Sequence, residues 1–565
     1  MRVDITTGAL AGAFVVFGSA SLYANTALQF SAAAGDGPAA IVTAAANPQP
    51  DPLAYAGEVA AGSTMGSALP TRVGRVSLVS GKVEFRAPGD TQWSSASVND
   101  PIATGVAVHT DPQARAEISI GADTIDLAEG TEIAIVKLDQ QSTEIAVKQG
   151  RIASDLRALD PGETVRIDIP AGAVRLLSTG RYDIDAGGGE QPTRLATFAG
   201  SAEFADSEAD LEVGTGERVV FSAAGPVAAT LEPAAGDEFT KWCRARAVGE
   251  TRLTAPYFIS RAMTGYAALD DAGQWRSTEK YGEVWQPKPL AAGWAPYRDG
   301  HWRWLAPWGW SWVDKQIWGF APSHYGRWLF ADGRWSWVPG RFAAHPVWAP
   351  AVVGFLGTPG VGLSYADGPG PAIAWFPLAP GEIYWPGYTA DLDYIRALNR
   401  DNVMDLSAIR LRKDGEPPAE IVNAPFVNRA FASVVPRRVF TASEPIATAL
   451  LTIPSERLRD APAIMGSPLV GPPLSPPAHI AAVPARELQS PVAARSAKTA
   501  SWASIVHAAA MRSRNYQEAA RQRFIRLRVL SGAETSRLRH SIVLRVARSD
   551  HAVMRVESHR RVIRR

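Results

Sequence analysis

At 565 residues, with 46% hydrophobic and 20% charged residues, the chain has a globular composition and room for three or more domains. Its formal net charge of +1 hides a split, because residues 501–565 hold fifteen Arg and four acids, a net of +11, leaving −10 for residues 1–500. A single cysteine, Cys243, excludes an internal disulfide and any multi-cysteine metal site.

No charge occurs from Ile5 to Gly35, and the apolar run Ala9–Gly18 follows Arg2. Residues 1–30 therefore read as a signal peptide with Ala24 a possible cleavage point, or as an uncleaved N-terminal anchor. Either places the rest of the chain outside the cytoplasm, in the periplasm or envelope, with inner-membrane anchoring the alternative. Residues 31–71 are an Ala/Gly/Pro linker. From residue 72 to 235 short apolar/polar alternations dominate. Val76–Val79 meets Ser80-Gly81 and returns as Lys82–Phe85, and Glu117–Ile120, Thr124–Leu127, Glu132–Ile135 and Glu144–Val147 follow. This predicts a half-buried antiparallel sheet with a solvated acidic face, since residues 72–240 carry twenty-seven acids against fourteen Lys and Arg. A short connecting helix is expected within residues 236–256.

Residues 257–400 hold the densest signal, with thirteen of the eighteen tryptophans between Trp275 and Trp348. The stretch Gly293–Asp314 recurs about twenty-six residues later as Gly319–Pro339. Alternation puts Trp302 with Trp304, Trp310 with Trp312, and Trp335 with Trp337 on single strand faces, so each copy is a β-hairpin turning at 306–309 or 331–333. Arg303, Ser311 and Ser336 point away from the indoles. Two readings stay open: the indoles are the core of a small module, or Trp294, Trp302, Trp304, Trp310, Trp312, Trp328, Trp335 and Trp337 form a ligand platform that stacks on sugar rings. His301, His324, Tyr297 and Tyr325 are secondary candidates in the same block. The acids Asp299, Asp314 and Asp332 fall at turns, where capping of the local backbone is the ordinary role.

Residues 401–500 read as a Pro-rich, partly disordered region, with fourteen prolines between Pro417 and Pro491. Residues 501–565 keep helical spacing of apolar residues and form basic amphipathic helices, in which Arg521, Arg523, Arg526 and Arg528 are an electrostatic anchor for anionic lipid or another envelope partner.

Two family resemblances accompany these readings. Gly81–Phe85, Trp93, Asn99–Ile102, Ala114–Ile120, Asp126-Leu127, Gly130-Thr131 and Lys148–Arg151 resemble the extracytoplasmic domain of FecR-type proteins, which implies a β stack or sandwich over roughly residues 72–185. Tyr281–Trp285, Gly293–Asp314, Trp318–Gly340, Trp375–Leu378, Glu382–Tyr388, Asn428-Arg429 and Val434–Phe440 resemble a Trp/Gly/Pro-rich family of unknown function often found behind FecR-type domains in Gram-negative bacteria. That second likeness implies an exported protein and supplies no catalytic residues.

No nucleophile elbow, zinc-protease motif, phosphate loop or dinucleotide fingerprint is present. The expected fold is mainly β: a FecR-like antiparallel stack or sandwich, a Trp-rich tandem hairpin module, a Pro-rich linker and C-terminal basic helices. The expected function is that of a non-enzymatic exported envelope scaffold or binding protein, engaging envelope polysaccharide, anionic lipid or a protein partner. No cofactor and no metal site are expected, and nucleic acid is the least favoured partner. The alternative is a polysaccharide hydrolase using carboxylates of the Trp-rich module.

Overall fold

A computed structural model of the chain describes residues 69–471, apart from 189–190, 206–209, 222–228, 248–252, 359–370, 413–416 and 467–469. The leader and the arginine-rich tail with Arg521, Arg523, Arg526 and Arg528 lie outside the described residues. Within them the protein is mainly β, as the alternating sequence requires.

Residues 74–233 build two nine-stranded sheets. In the middle of the first, Gly180–Asp185, Arg151–Leu156, Asp123–Leu127 and Arg115–Ile120 lie side by side. Near one end of the second are Val83–Arg86, Ala107–Thr110 and Glu132–Leu138. Val83 and Phe85 bury while Glu84 and Arg86 stay half-exposed, the period-two pattern of a strand with one apolar face. The expected hairpin across Ser80-Gly81 does not form. Gly74–Ser80 joins the first sheet and Val83–Arg86 the second, and Gly81, at φ +75°, carries the chain between them. The pairing is antiparallel except that Thr164–Ile169 runs parallel to Ser142–Gln149.

The tryptophan stretch contains three hairpins, one more than the sequence repeat revealed. Gly273–Thr278 with Gly282–Pro287, Gly300–Leu305 with Gly309–Asp314, and Arg327–Ala331 with Arg334–Val338 each oppose two indoles across the strands: Trp275 and Trp285, Trp302 and Trp312, Trp328 and Trp337. Each also has a glycine two residues before its first indole. A Cβ on Gly273 would lie 2.3 Å from the Trp285 ring, one on Gly300 2.7 Å from that of Trp312, and one on Gly326 2.5 Å from that of Trp337. The missing side chain is where the opposite indole lies flat on the strand. In the third hairpin Asp332 and Gly333 both take positive φ, the pattern of a type I′ turn.

Hairpins and sheets share one apolar core that runs from Val73 to Val470. The face of the central hairpin turned away from its indoles meets the first strands of the β region. Arg303 is in ion-pair contact with the fully buried Asp100 at 2.7 Å and covers the Phe85 ring at 4.7 Å. Asn99, held at φ +73°, donates to the carbonyls of Asp314 (2.9 Å) and Gln316 (2.7 Å) and accepts from Arg75 (2.8 Å).

The stretch 417–471, expected as part of a linker, is instead folded into this unit in its described residues. Ser433–Pro436 pairs with Ala372–Pro377, and Ala463–Ile464 pairs with Val353–Leu356. Pro418, Pro436 and Pro454 each stand immediately before a short helix, where a missing N–H costs nothing.

Candidate functional site

The acidic face of the first sheet is not open water along its middle. Glu117 and Asp126 are cross-strand partners, Asp126 is opposite Ala153, and Ala153 is opposite Asp183, so three acids fall on one line across four strands. Glu117, Asp126 and Asp183 are all buried. A ten-residue helix, α1 (Glu238–Ala247), is bound to this row. Its start is fixed by a reciprocal cap: the Asp237 carboxylate accepts from the Thr240 N–H at 3.1 Å, and the Thr240 hydroxyl accepts from the Asp237 N–H at 2.7 Å.

Arg246 of α1 holds Glu117, which also accepts from the Ser77 hydroxyl at 2.7 Å. Arg151 grips Asp183 with both carboxylate oxygens at 3.0 Å and reaches Asp237. Between these pairs Asp126 meets the Cys243 thiol, and its Oδ1 has no hydrogen-bond partner among the described residues. Burial, and then the Glu117 carboxylate, push the Asp126 carboxyl up to about 7. Burial and Asp126 push the Cys243 thiol well above its ordinary range, so it is a poor nucleophile.

Beside α1 opens a cleft of about 610 Å³, lined among others by Gln113, Arg115, Glu129, Arg151, Phe239 and Trp242. Guanidinium groups lie over its aromatic wall: Arg115 is 5.0 Å from the Trp242 ring and Arg151 is 5.1 Å from that of Phe239. Such contacts are worth about 0.5–2 kcal/mol, and stacking on a ring leaves the edge of the Arg115 guanidinium for polar groups, whereas Arg151 already holds Asp183 and Asp237. Glycine is required at one point of the lining. Gly150 has φ +84°, and a Cβ there would sit 2.5 Å from Thr131 Cα. The sequence marked none of these residues as part of a site. Trp242, one of the few tryptophans outside the cluster, was the available signal.

The residues that the sequence did mark are placed elsewhere. Trp302, Trp310, Trp312, Trp328, Trp335 and Trp337 are buried, and Trp294 and Trp304 pack half-buried against the same core. The exposed-platform reading is therefore corrected. A module with few aliphatic side chains spends its indoles on the interior, where three of the N–H groups donate to carbonyls: Trp328 to Pro322, Trp337 to Tyr325 and Trp310 to Val470. His324 is buried, stacks on Trp348 at 5.0 Å and contacts the Ala349 carbonyl at 2.7 Å, and burial holds its pKa down to about 3. Burial and Arg303 hold His301 down to about 4. The Tyr297 hydroxyl donates to the Ser323 carbonyl at 2.8 Å, and Tyr325 is buried. Asp314 accepts from the Trp312 indole N–H at 2.9 Å and from the Gln316 N–H at 2.9 Å, and burial pushes its carboxyl up to about 7. Asp332 occupies the hairpin turn.

Comparison with known proteins adds three findings. Residues 266–382, which take in all three hairpins, match the model of DUF6600, a family of unknown function. Two crystal structures of a candidate anti-sigma factor from Parabacteroides distasonis align at 11% identity with a TM-score of 0.22, covering 24% of this chain and 63% and 64% of theirs. The chain thus spans a little under two thirds of the length of those chains. No curated protein matches. Among the described residues no helix is long and apolar enough to cross a membrane.

Proposed function

We propose that this protein is a non-enzymatic binding scaffold of the cell envelope, exported by its N-terminal segment, in which the cleft beside α1 takes the ligand. The observation that carries this reading is the contrast between the two aromatic regions. The hairpin indoles are spent on the core, whereas Trp242 and Arg115 line an open concavity. Sites for small ligands are typically concavities of about 300–1,000 Å³ with aromatic walls and a few polar groups. Envelope polysaccharide suits such a lining, because a sugar presents a flat apolar face for an indole and hydroxyl or acidic groups for a guanidinium. The hairpins and the residues up to 471 then serve as the rigid mount.

The test is retention of the full-length protein on immobilised envelope polysaccharide. Arg115→Ala and Trp242→Ala are expected to lose retention while the melting transition stays near that of the parent. Retention unchanged in both variants would overturn the reading, and release of shortened saccharides by the parent would point to the hydrolase instead.

A further inference from the structure

His301 and His324 drew attention in the sequence, but the imidazole that lies beside two carboxylates is His109, on the second sheet. Val83–Arg86 and Ala107–Thr110 pair with Glu84 directly opposite His109. Alternation puts Lys82 on the same face as Glu84. Asp111, two residues beyond His109, donates its N–H to the Lys82 carbonyl at 3.0 Å, which brings its side chain opposite Lys82. One donor atom from each of Glu84, His109 and Asp111 falls within 4.8 Å of the other two. His109 Nε2 is 3.3 Å from Asp111 Oδ1. The ring is packed on Trp93 at 6.1 Å, and Arg86 covers the far ring at 4.6 Å.

We infer that Glu84, His109 and Asp111 form a binding site for a first-row divalent cation, zinc above all, with Lys82 as its built-in competitor. Two observations beyond proximity support this. The Lys82 ammonium already occupies the cation position, 3.2 Å from Glu84 and 3.0 Å from Asp111, so the carboxylates are arranged around a positive charge. Its side chain is 65% exposed, so it can swing into water and vacate the position. Second, strand pairing and the Trp93 contact hold the His109 imidazole with Nε2 turned toward Asp111, so the nitrogen donor is already placed beside the carboxylates.

The donor set selects the ion. One imidazole nitrogen with two carboxylates suits zinc and its first-row neighbours, whereas calcium and magnesium prefer oxygen ligands only. Two carboxylates and one dication cancel in charge. Beyond this set, Glu132 is opposite His109 on the next strand, and Lys148 holds it at 3.1 Å, adding an outer carboxylate to the same row.

The experiment uses the full chain after chelator treatment. Zinc binding is followed by calorimetry, and cobalt binding by its visible ligand-field bands. One saturable site is expected, weakened by more than about tenfold in His109→Ala and in Asp111→Asn, since even outer partners of a metal typically contribute that much. Lys82→Ala is expected to bind zinc more tightly than the parent, a gain that misfolding cannot produce. A parent with no saturable site would overturn the inference. So would a site indifferent to His109→Ala, or a Lys82→Ala variant no tighter than the parent.

Discussion

Replacing Trp312 with alanine tests the reading of the hairpins as core. The indole is fully buried, with Trp302 at 5.5 Å, Tyr297 at 5.9 Å and Trp375 at 6.3 Å from its ring. Truncating a buried aromatic side chain costs about 3–5 kcal/mol in lost transfer energy and cavity. The change also removes the N–H that donates to Asp314, whose buried carboxyl is left with one partner fewer, for about 1–3 kcal/mol more. Together these approach the whole stability of an ordinary domain, about 5–15 kcal/mol. Trp304 is only half-buried, so Trp304→Ala is expected to cost clearly less. Trp312→Phe, which keeps a ring but not the N–H, falls between Trp312→Ala and the parent. Urea unfolding of the variants, followed by far-UV circular dichroism, gives the ranking. A Trp312→Ala midpoint equal to that of the parent would refute the core assignment, as would a Trp304→Ala variant equally damaged.

The remaining predictions concern charge and contact. Asp126 has a folded pKa of about 7, above the ordinary 3.8, so its retained proton stabilises the fold at acid pH, and that contribution is lost as pH rises from about 4 through about 7. Asp126→Asn should therefore match the parent near pH 4 and exceed it above pH 8, by on the order of 4 kcal/mol at most. Thermal melts at the two pH values decide, and no gain at high pH contradicts the buried charge. Asp100→Ala strands Arg303 beneath the hairpin and is expected to cost about 3–5 kcal/mol, read by the same urea assay. A loss under about 1 kcal/mol would mean that the pair does not bind the two regions. Gly300→Ala forces a Cβ to within 2.2 Å of the Val313 carbonyl oxygen, so the variant should unfold at distinctly lower urea.

Much of the local structure was legible because it depends on neighbours in the chain. Alternation located Glu132–Leu138 and Ser142–Gln149, and the Asp332-Gly333 turn announced itself by residue type. The hairpin of Gly273–Thr278 with Gly282–Pro287 was missed because its loop, Glu279 to Tyr281, has neither the Ala-Pro-Trp nor the Asp-Gly turn residues of the other two. What survives is a glycine two residues before Trp275 and an indole opposite at Trp285, a signal that has meaning only once the packing is known. The buried acid row was misread for a different reason. Glu117 and Asp126 alternate with apolar residues as solvated acids do, and only α1, more than a hundred residues later, removes them from water. Prolines misled in the other direction. At 418, 436 and 454 they start helices, and a count of prolines cannot distinguish a helix start from a linker. The cleft combines Arg115, Arg151 and Trp242 from three separate places, and no spacing rule links them.

The contacts that close the core also order its assembly in time. The Pro70 carbonyl meets the Tyr394 hydroxyl 324 residues later, the Thr71 carbonyl waits for the Trp348 N–H, and Val353–Leu356 gains its outer partner only when Ala463–Ile464 arrives. Pairings over such separations must close long loops before they return any stabilisation, which makes folding slow. While the chain is being made, the strands around residues 70–120 therefore stand with Asn99, Asp100 and Phe85 without the cover of the central hairpin. Until the hairpins reach them those residues lack their folded-state cover, and a truncation short of residue 464 would leave an open strand edge suited to aggregation.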